Sequence, residues 1–225
     1  MQATASRQTE LTAQWLGVFV QADQVTELRA LNVGGSKIVT DFFDGKRLPQ
    51  MAERAVELER AGASGVYFTP NPLRPDMATS KRAARDQDVI ARHWILIDVD
   101  PVRPEGLNKA AATEGERQQA WEVLDRCRNI LDGAGFHSPV VGDSGNGWHL
   151  CYPVDLANDD GAKEQVRQLL RGLQKRCGTA QAKVDTSTFN ASRIWKLYGT
   201  LSRKGQPSAE RPHRRSRLVE WSQQQ

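Results

Sequence analysis

The residues most able to do chemistry begin at the end of "WILIDVD", residues 94–100, where four apolar side chains run into Asp98 and Asp100, separated by one valine. In a strand alternate side chains share a face, so the two carboxylates would project together from the end of a buried β-element. So close together, they repel unless something positive sits between them. Asp185, in "AKVDTSTF", is a third carboxylate that could reach the same place, and His149, in "GWHLCYPV", could share the same open sheet face. Three converging carboxylates suit a hard divalent cation: Mg2+ or Mn2+ prefers oxygen ligands and keeps positions open for water and phosphates. Two such ions can activate a 3′-hydroxyl and stabilise a leaving pyrophosphate. Ser144, His149, Arg193 and Lys196 are then candidates to hold a triphosphate, whose oxygens match hydroxyl, imidazolium, guanidinium and ammonium donors. The combination describes a nucleotidyl transferase.

Taken singly, each piece has a plainer reading. A D-x-D at a strand end can be a pair of turn or capping carboxylates. His149, between Trp148 and Leu150, can be a hydrogen-bonded sheet histidine, and "SGNG" a mere hairpin turn. Arg193 and Lys196 can protect an edge strand. It is their joint occurrence in this order that favours the chemistry.

The elements that would position these residues follow from periodicity. Leu11, Trp15 and Phe19 recur at a spacing of four and predict a helix, followed by strands "VTELRALNV" and "SKIVTDFFDG" paired across Gly34-Gly35. Met51, Ala55 and Leu58 mark a helix stopped by Gly62; "GVYFTPNP" is a strand broken by prolines, and residues 73–90 read as a surface loop or short helix. From residue 94 the pattern is strand "WILIDVD", helix on Ala120, Leu124, Cys127 and Leu131, strands "SPVVGD" and "GWHLCYPV", helix on Val166, Leu169, Leu170, Leu173 and Cys177, and last strand "RIWKLYG". The order β-α-β-β-α-β is the ferredoxin-like, RNA-recognition-like arrangement. The expected class is α+β: an N-terminal α/β module over residues 1–90 and the RNA-recognition-like module over 91–225, within a single catalytic domain.

The 225 residues suffice for a substantial core. Cys127, Cys151 and Cys177 lie far apart, which argues against a disulfide framework or zinc ribbon and for a reducing, cytoplasmic setting. No leader or membrane-spanning segment is evident, so no membrane partner is expected. The net charge of +4 is uneven: residues 193–217 carry eight Lys/Arg against Glu210 alone, leaving −3 on the remaining 200 residues. Such a basic segment reads either as a surface for phosphates or as a solvated tail.

These motifs, in this order, resemble the catalytic domain of the archaeo-eukaryotic primase superfamily, most closely the primase-polymerase domains of phage and plasmid replication proteins. "ILIDVDP" is similar to the first motif, "SGNGWHLCYPV" to the second and "VDTSTFNASRIWKLYGTLSRKG" to the third; "VYFTPNPL" and "RPHRRSRL" also match, so the likeness spans roughly residues 35–220. The resemblance implies an active site between the two modules. It assigns the metals to Asp98, Asp100 and Asp185, and the nucleotide to Ser144, His149, Arg193 and Lys196, with Asn71, Arg211, His213 and Arg214 as further nucleotide-site positions. It implies single-stranded DNA template and primer, nucleoside triphosphates and Mg2+ or Mn2+ as partners and cofactors, and a helicase domain or protein as a companion. The chain shows no Walker A pattern, so it carries no helicase motor itself. No zinc-binding cluster accompanies the domain, which favours primer extension over unprimed initiation.

Two other readings stay open on the sequence. A metal-dependent nuclease would use the same carboxylates but leaves Ser144 and His149 unexplained. A non-catalytic single-stranded nucleic-acid-binding module would use the sheet and basic segment, yet places aspartates where such sheets stack bases on aromatics. A rolling-circle endonuclease is disfavoured, because His93, His137, His149 and His213 include no His-x-His pair.

Overall fold

The computed structural model describes residues 2–221 except His137, with side chains from Ser6 onward; His137 and residues 222–225 of the Gln-rich end lie outside the described residues. Helix α1 (Gln2–Leu16) leads to the hairpin of β1 (Val25–Val33) and β2 (Ser36–Asp44). The hairpin turns on Gly34 and Gly35, whose φ of +51° and +87° favour glycine. Leu11 and Trp15 lie on α1, but the helix stops one turn before Phe19. Gly17 ends it in shorter-range hydrogen bonds, such as Phe19 N to Leu16 O at 2.9 Å, while Phe19 stays buried. Helix α2 (Leu48–Arg60) starts with proline in its first turn, buries Met51, Ala55 and Leu58, and feeds β3 (Gly65–Phe68).

Residues 73–90 are less of a surface loop than expected. Leu73, Met77, Ala84 and Val89 form a small core with Val25, Phe42 and Ala191 around two short 3-10 turns, Pro75–Thr79 and Asp86–Asp88. These apolar residues are too sparse to show a period, yet Leu73, Met77, Ala84 and Val89 are each buried.

Strand β4 (Ala91–Pro101) then starts the second sheet, followed by α3 (Glu114–Gly133), β5 (Val140–Asp143), β6 (Trp148–Ala157), α4 (Asp160–Cys177) and β7 (Ala182–Val184). Thr113 and Glu116 form a reciprocal capping box at the start of α3, and Asp159 caps α4. "RIWKLYG" was expected to supply the last strand of this unit. It contributes only β8 (Trp195–Lys196), which pairs with β3 in the first sheet, and β7 takes the place beside β4. Three residues are too few to announce a strand by alternation, although Ala182 and Val184 are buried and Lys183 is exposed.

The basic segment is not a solvated tail. Leu201–Ser202 (β9) pairs with Arg214–Arg215 (β10), and Arg217–Glu220 (β11) joins β5. The two larger sheets are ordered β2-β1-β3-β8 and β11-β5-β6-β4-β7, and every pairing is antiparallel. The fold is thus of mixed α and β elements with antiparallel sheets. Among the described residues no helix is long and apolar enough to cross a membrane.

Strand β4 joins two cores through its alternation. Ile95, Ile97 and Val99 pack with α3 and α4, while Trp94 and Leu96 point the other way, into a core shared with β1, β3 and α2.

Candidate active site

Beyond Leu96 the inter-sheet core gives way to a cleft, and the next two residues on that face of β4 are Asp98 and Asp100. This answers why an apolar run ends in two carboxylates: one strand face continues from core into opening. Asp98 stands directly across from His149 on β6, and Asp100 from Lys183 on β7. Asp185 follows β7 immediately. Its backbone N–H donates to the Asp98 carbonyl at 2.8 Å, and its side chain accepts from Ser187 N at 2.8 Å. The three carboxylates line one cavity of about 430 Å³, together with Ser144, His149, Arg193 and Lys196.

The electrostatics of this group are unbalanced. The Asp98 side chain is 23% exposed, and its Oδ1, 3.6 Å from His149 Nε2, has no hydrogen-bond partner. Burial, then Asp100 and Asp185, push its carboxyl well above the usual carboxylate range, against the pull of Lys204 and Arg193. An orphaned carboxylate oxygen among oxygen-only donors fits a hard divalent cation, whose charge would reverse that repulsion. Among the described residues no three His, Cys, Asp or Glu already stand together in ligating geometry.

Ser144 opens the "SGNG" turn. Its Oγ accepts from Gly147 N at 2.9 Å, and Gly145 has φ +91°. Gly147 is required by close approach: a Cβ there would come within 2.4 Å of Val99 O and 2.9 Å of Asp100 Oδ1. Asn146 ties the turn outward, accepting from Ala112 N and donating to Ser202 Oγ, both at 2.9 Å. Beneath it Asp143 accepts from Gly145 N and pairs with buried Arg117 at 2.9 Å.

His149 is buried, and burial lowers its pKa to about 3, so it is neutral imidazole rather than the imidazolium expected from its type. Lys196, also buried, donates to Thr200 Oγ1 at 2.7 Å and Leu201 O at 3.1 Å; burial lowers its pKa to about 7 although Glu59 pulls the other way. Arg193 is held by the carbonyl and hydroxyl of Ser187, with its Nε lacking a partner.

Asn71, Arg211, His213 and Arg214 are not brought to the cleft. Asn71 Oδ1 accepts from His93 N at 2.9 Å and Trp94 N at 3.0 Å, serving the irregularity in β4 between Arg92 and Trp94. Arg211 pairs with Glu116 at 2.7 Å, Arg214 donates to Ala112 O at 2.7 Å, and His213 Nε2 lies 2.9 Å from Gly205 O. Conversely, Tyr67, Asn146, Arg203 and Lys204 line the cleft unanticipated. Lys204 lay within the basic stretch already noted; nothing in the sequence singled out Tyr67, which needs the facing of the two sheets to be known.

No family model and no curated protein matches the chain. Solved structures do. The RepB' primase aligns at TM-score 0.53 and 14% identity over 93% of this chain, which spans 56% of that protein. The catalytic domain of RepB' in complex with initiator DNA aligns at TM-score 0.51 and 15% identity, covering 94% of this chain and 85% of that one. The polymerase domain of Mycobacterium tuberculosis ligase D in complex with DNA aligns at TM-score 0.50 and 15% identity, covering 93% and 80%. The likeness carried by the motifs therefore holds for the architecture: this chain has the fold of these primase and polymerase domains.

Proposed function

We propose that the chain is a template-directed primase-polymerase, transferring a nucleotidyl group from a nucleoside triphosphate to a 3′-hydroxyl on single-stranded DNA. The observation that carries this reading is the convergence of Asp98, Asp100 and Asp185 with Ser144, His149, Arg193 and Lys196 in one cleft. The fold supports it, and the sheet around β4 is read as the RNA-recognition-like module of residues 91–225, with residues 1–90 as the module opposite.

The 3′-hydroxyl oxygen forms a bond to the α-phosphorus, the bond from that phosphorus to the bridging oxygen of the β-phosphate breaks, and pyrophosphate leaves. The hydroxyl proton passes to solvent. Asp98, Asp100 and Asp185 would hold Mg2+ or Mn2+, which supplies Lewis-acid stabilisation of the attacking and leaving oxygens. Ser144, His149, Arg193 and Lys196 bind and orient the triphosphate, the first two through neutral donors and the last two through positive charge.

The test is incorporation of labelled nucleotides on single-stranded DNA, with and without primer and with Mg2+ or Mn2+, comparing wild type with Asp98→Ala/Asp100→Ala. Products that vanish in the variant support the reading; products needing a primer mark a polymerase rather than a primase. Unchanged incorporation by the variant rules the reading out. DNA degradation without any triphosphate would make it a nuclease, and binding without chemistry a nucleic-acid-binding module.

A further inference from the structure

We propose that Trp195 and Tyr198 form a one-way hydrogen-bond chain that holds His149 as the tautomer with its proton on Nε2, facing the carboxylates. Tyr198 is thereby a positioning residue of the cleft. The kinetic consequence, though not the tautomer itself, rests on the nucleotidyl-transfer reading.

Each link has a direction. The indole N–H of Trp195 can only donate, and it donates to the Tyr198 hydroxyl at 3.1 Å. That oxygen, accepting there, keeps its own proton for a second partner, and His149 Nδ1 lies 2.8 Å away. The Cys151 thiol is also within its reach, but sulfur is the weaker acceptor. At the other end of the ring, Nε2 lies 3.6 Å from Asp98 Oδ1, a buried oxygen with no hydrogen bond. A lone pair on Nε2 would oppose an incoming phosphate, whereas an N–H faces it favourably. The two ends of the ring thus select the same tautomer.

Packing shields the hydroxyl from water. His149, Trp195 and Tyr198 are 3%, 3% and 1% exposed, and the His149 ring lies against Trp195 at 4.0 Å between centroids. Across from His149 on β5 is Gly142, where a Cβ would fall 2.2 Å from the Tyr198 hydroxyl oxygen. The missing side chain is the space the hydroxyl occupies. His149 so held offers the cleft an N–H donor without adding a charge.

The test reads the tautomer directly, from the ring-nitrogen shifts of 15N-labelled protein, with His149→Gln identifying the signal. The wild type should show a protonated Nε2 and an unprotonated Nδ1. Tyr198→Phe, which keeps the ring and removes the donor, should average the two nitrogen shifts and raise KM for the nucleoside triphosphate about tenfold, as loss of one hydrogen bond does, with kcat little changed. A wild type protonated on Nδ1, or Tyr198→Phe with unchanged nitrogen shifts and a wild-type melting temperature, would overturn the assignment. A wild type with the Nε2 proton but no incorporation would uphold the tautomer while refuting the reading of the cleft.

Discussion

The backbone N–H of Asp185 donates to the carbonyl of Asp98 at 2.8 Å, so the third carboxylate is set beside the first by main-chain pairing rather than by its own side chain. β7 is the device: Val184 pairs with Val99 and Lys183 with Asp100, and Asp185 emerges one residue beyond. The repulsion among the three carboxylates is therefore built into the folded chain.

That repulsion predicts a pH dependence. Asp98 is pushed well above its ordinary value of 3.8 by burial, then Asp100 and Asp185. The folded state then binds the extra proton, so this group's contribution to stability is lost as pH rises above about 4 through the folded pKa. Asp98→Asn should gain melting temperature over wild type as pH is raised, by about 2–4 °C for each ~1 kcal/mol at this chain length. Mg2+ or Mn2+ should close the gap. A thermal-unfolding series from acid to neutral pH, with and without the ions, checks it; parallel curves for the two proteins would contradict it.

Lys196 predicts the reverse sign and a proton uptake. Burial lowers its pKa to about 7 from 10.5, with Arg215 and Arg203 adding to the effect against Glu59. The unfolded chain binds more protons between those values, so stability from this group rises with pH across that window. A triphosphate in the cleft would restore the ammonium, so nucleotide binding slightly above neutral pH should take up close to one proton. Calorimetry in buffers of different ionisation enthalpy measures the uptake, which Lys196→Met should abolish.

How much of this was legible in the sequence depended on the range of the cause. The alternation of β4 and the turn residues around Ser144 are local, and they located Asp98, Asp100, Ser144 and His149. What β7 and β8 do is not local: strands of three and two residues carry no period, and only the finished sheets show that Lys196 pairs with Tyr67 of β3. Arg211 has the right type for a phosphate ligand, but its charge is taken by Glu116, 95 residues earlier, at the start of α3. The charge state of His149 was misread for the same reason, since burial by Trp195 and Tyr198 cannot be seen from its neighbours in sequence.

Beneath the "SGNG" turn, Arg117 and Asp143 form a pair whose side chains are 4% and 5% exposed. Removing one partner leaves a buried charge, which costs ~3–5 kcal/mol. Arg117→Met should lose about that much in urea unfolding, and incorporation should fall as well because Asp143 also anchors Gly145 N. Asp143→Asn combined with Arg117→Met should recover part of the stability. If the single variant loses less than about 1 kcal/mol, the level of an exposed pair, the pair does not support the turn.

Lys183 and Lys204 flank Asp100, the first directly across the strand pair and the second lining the cleft. Lys204 is drawn to Asp98 and Asp100 in the cleft, while burial, with Arg103 and Lys183, lowers its pKa against the pull of those carboxylates. On the nucleotidyl-transfer reading, a divalent ion held by the carboxylates would free both cations for the polynucleotide backbone. The expected result for Lys183→Ala/Lys204→Ala is weaker binding of single-stranded DNA, with a slope of log affinity against log salt shallower by about 1.4, two contacts at ~0.7 each. KM for the nucleoside triphosphate should stay near wild type. A change in that KM with an unaltered salt slope would instead place the two lysines on the triphosphate.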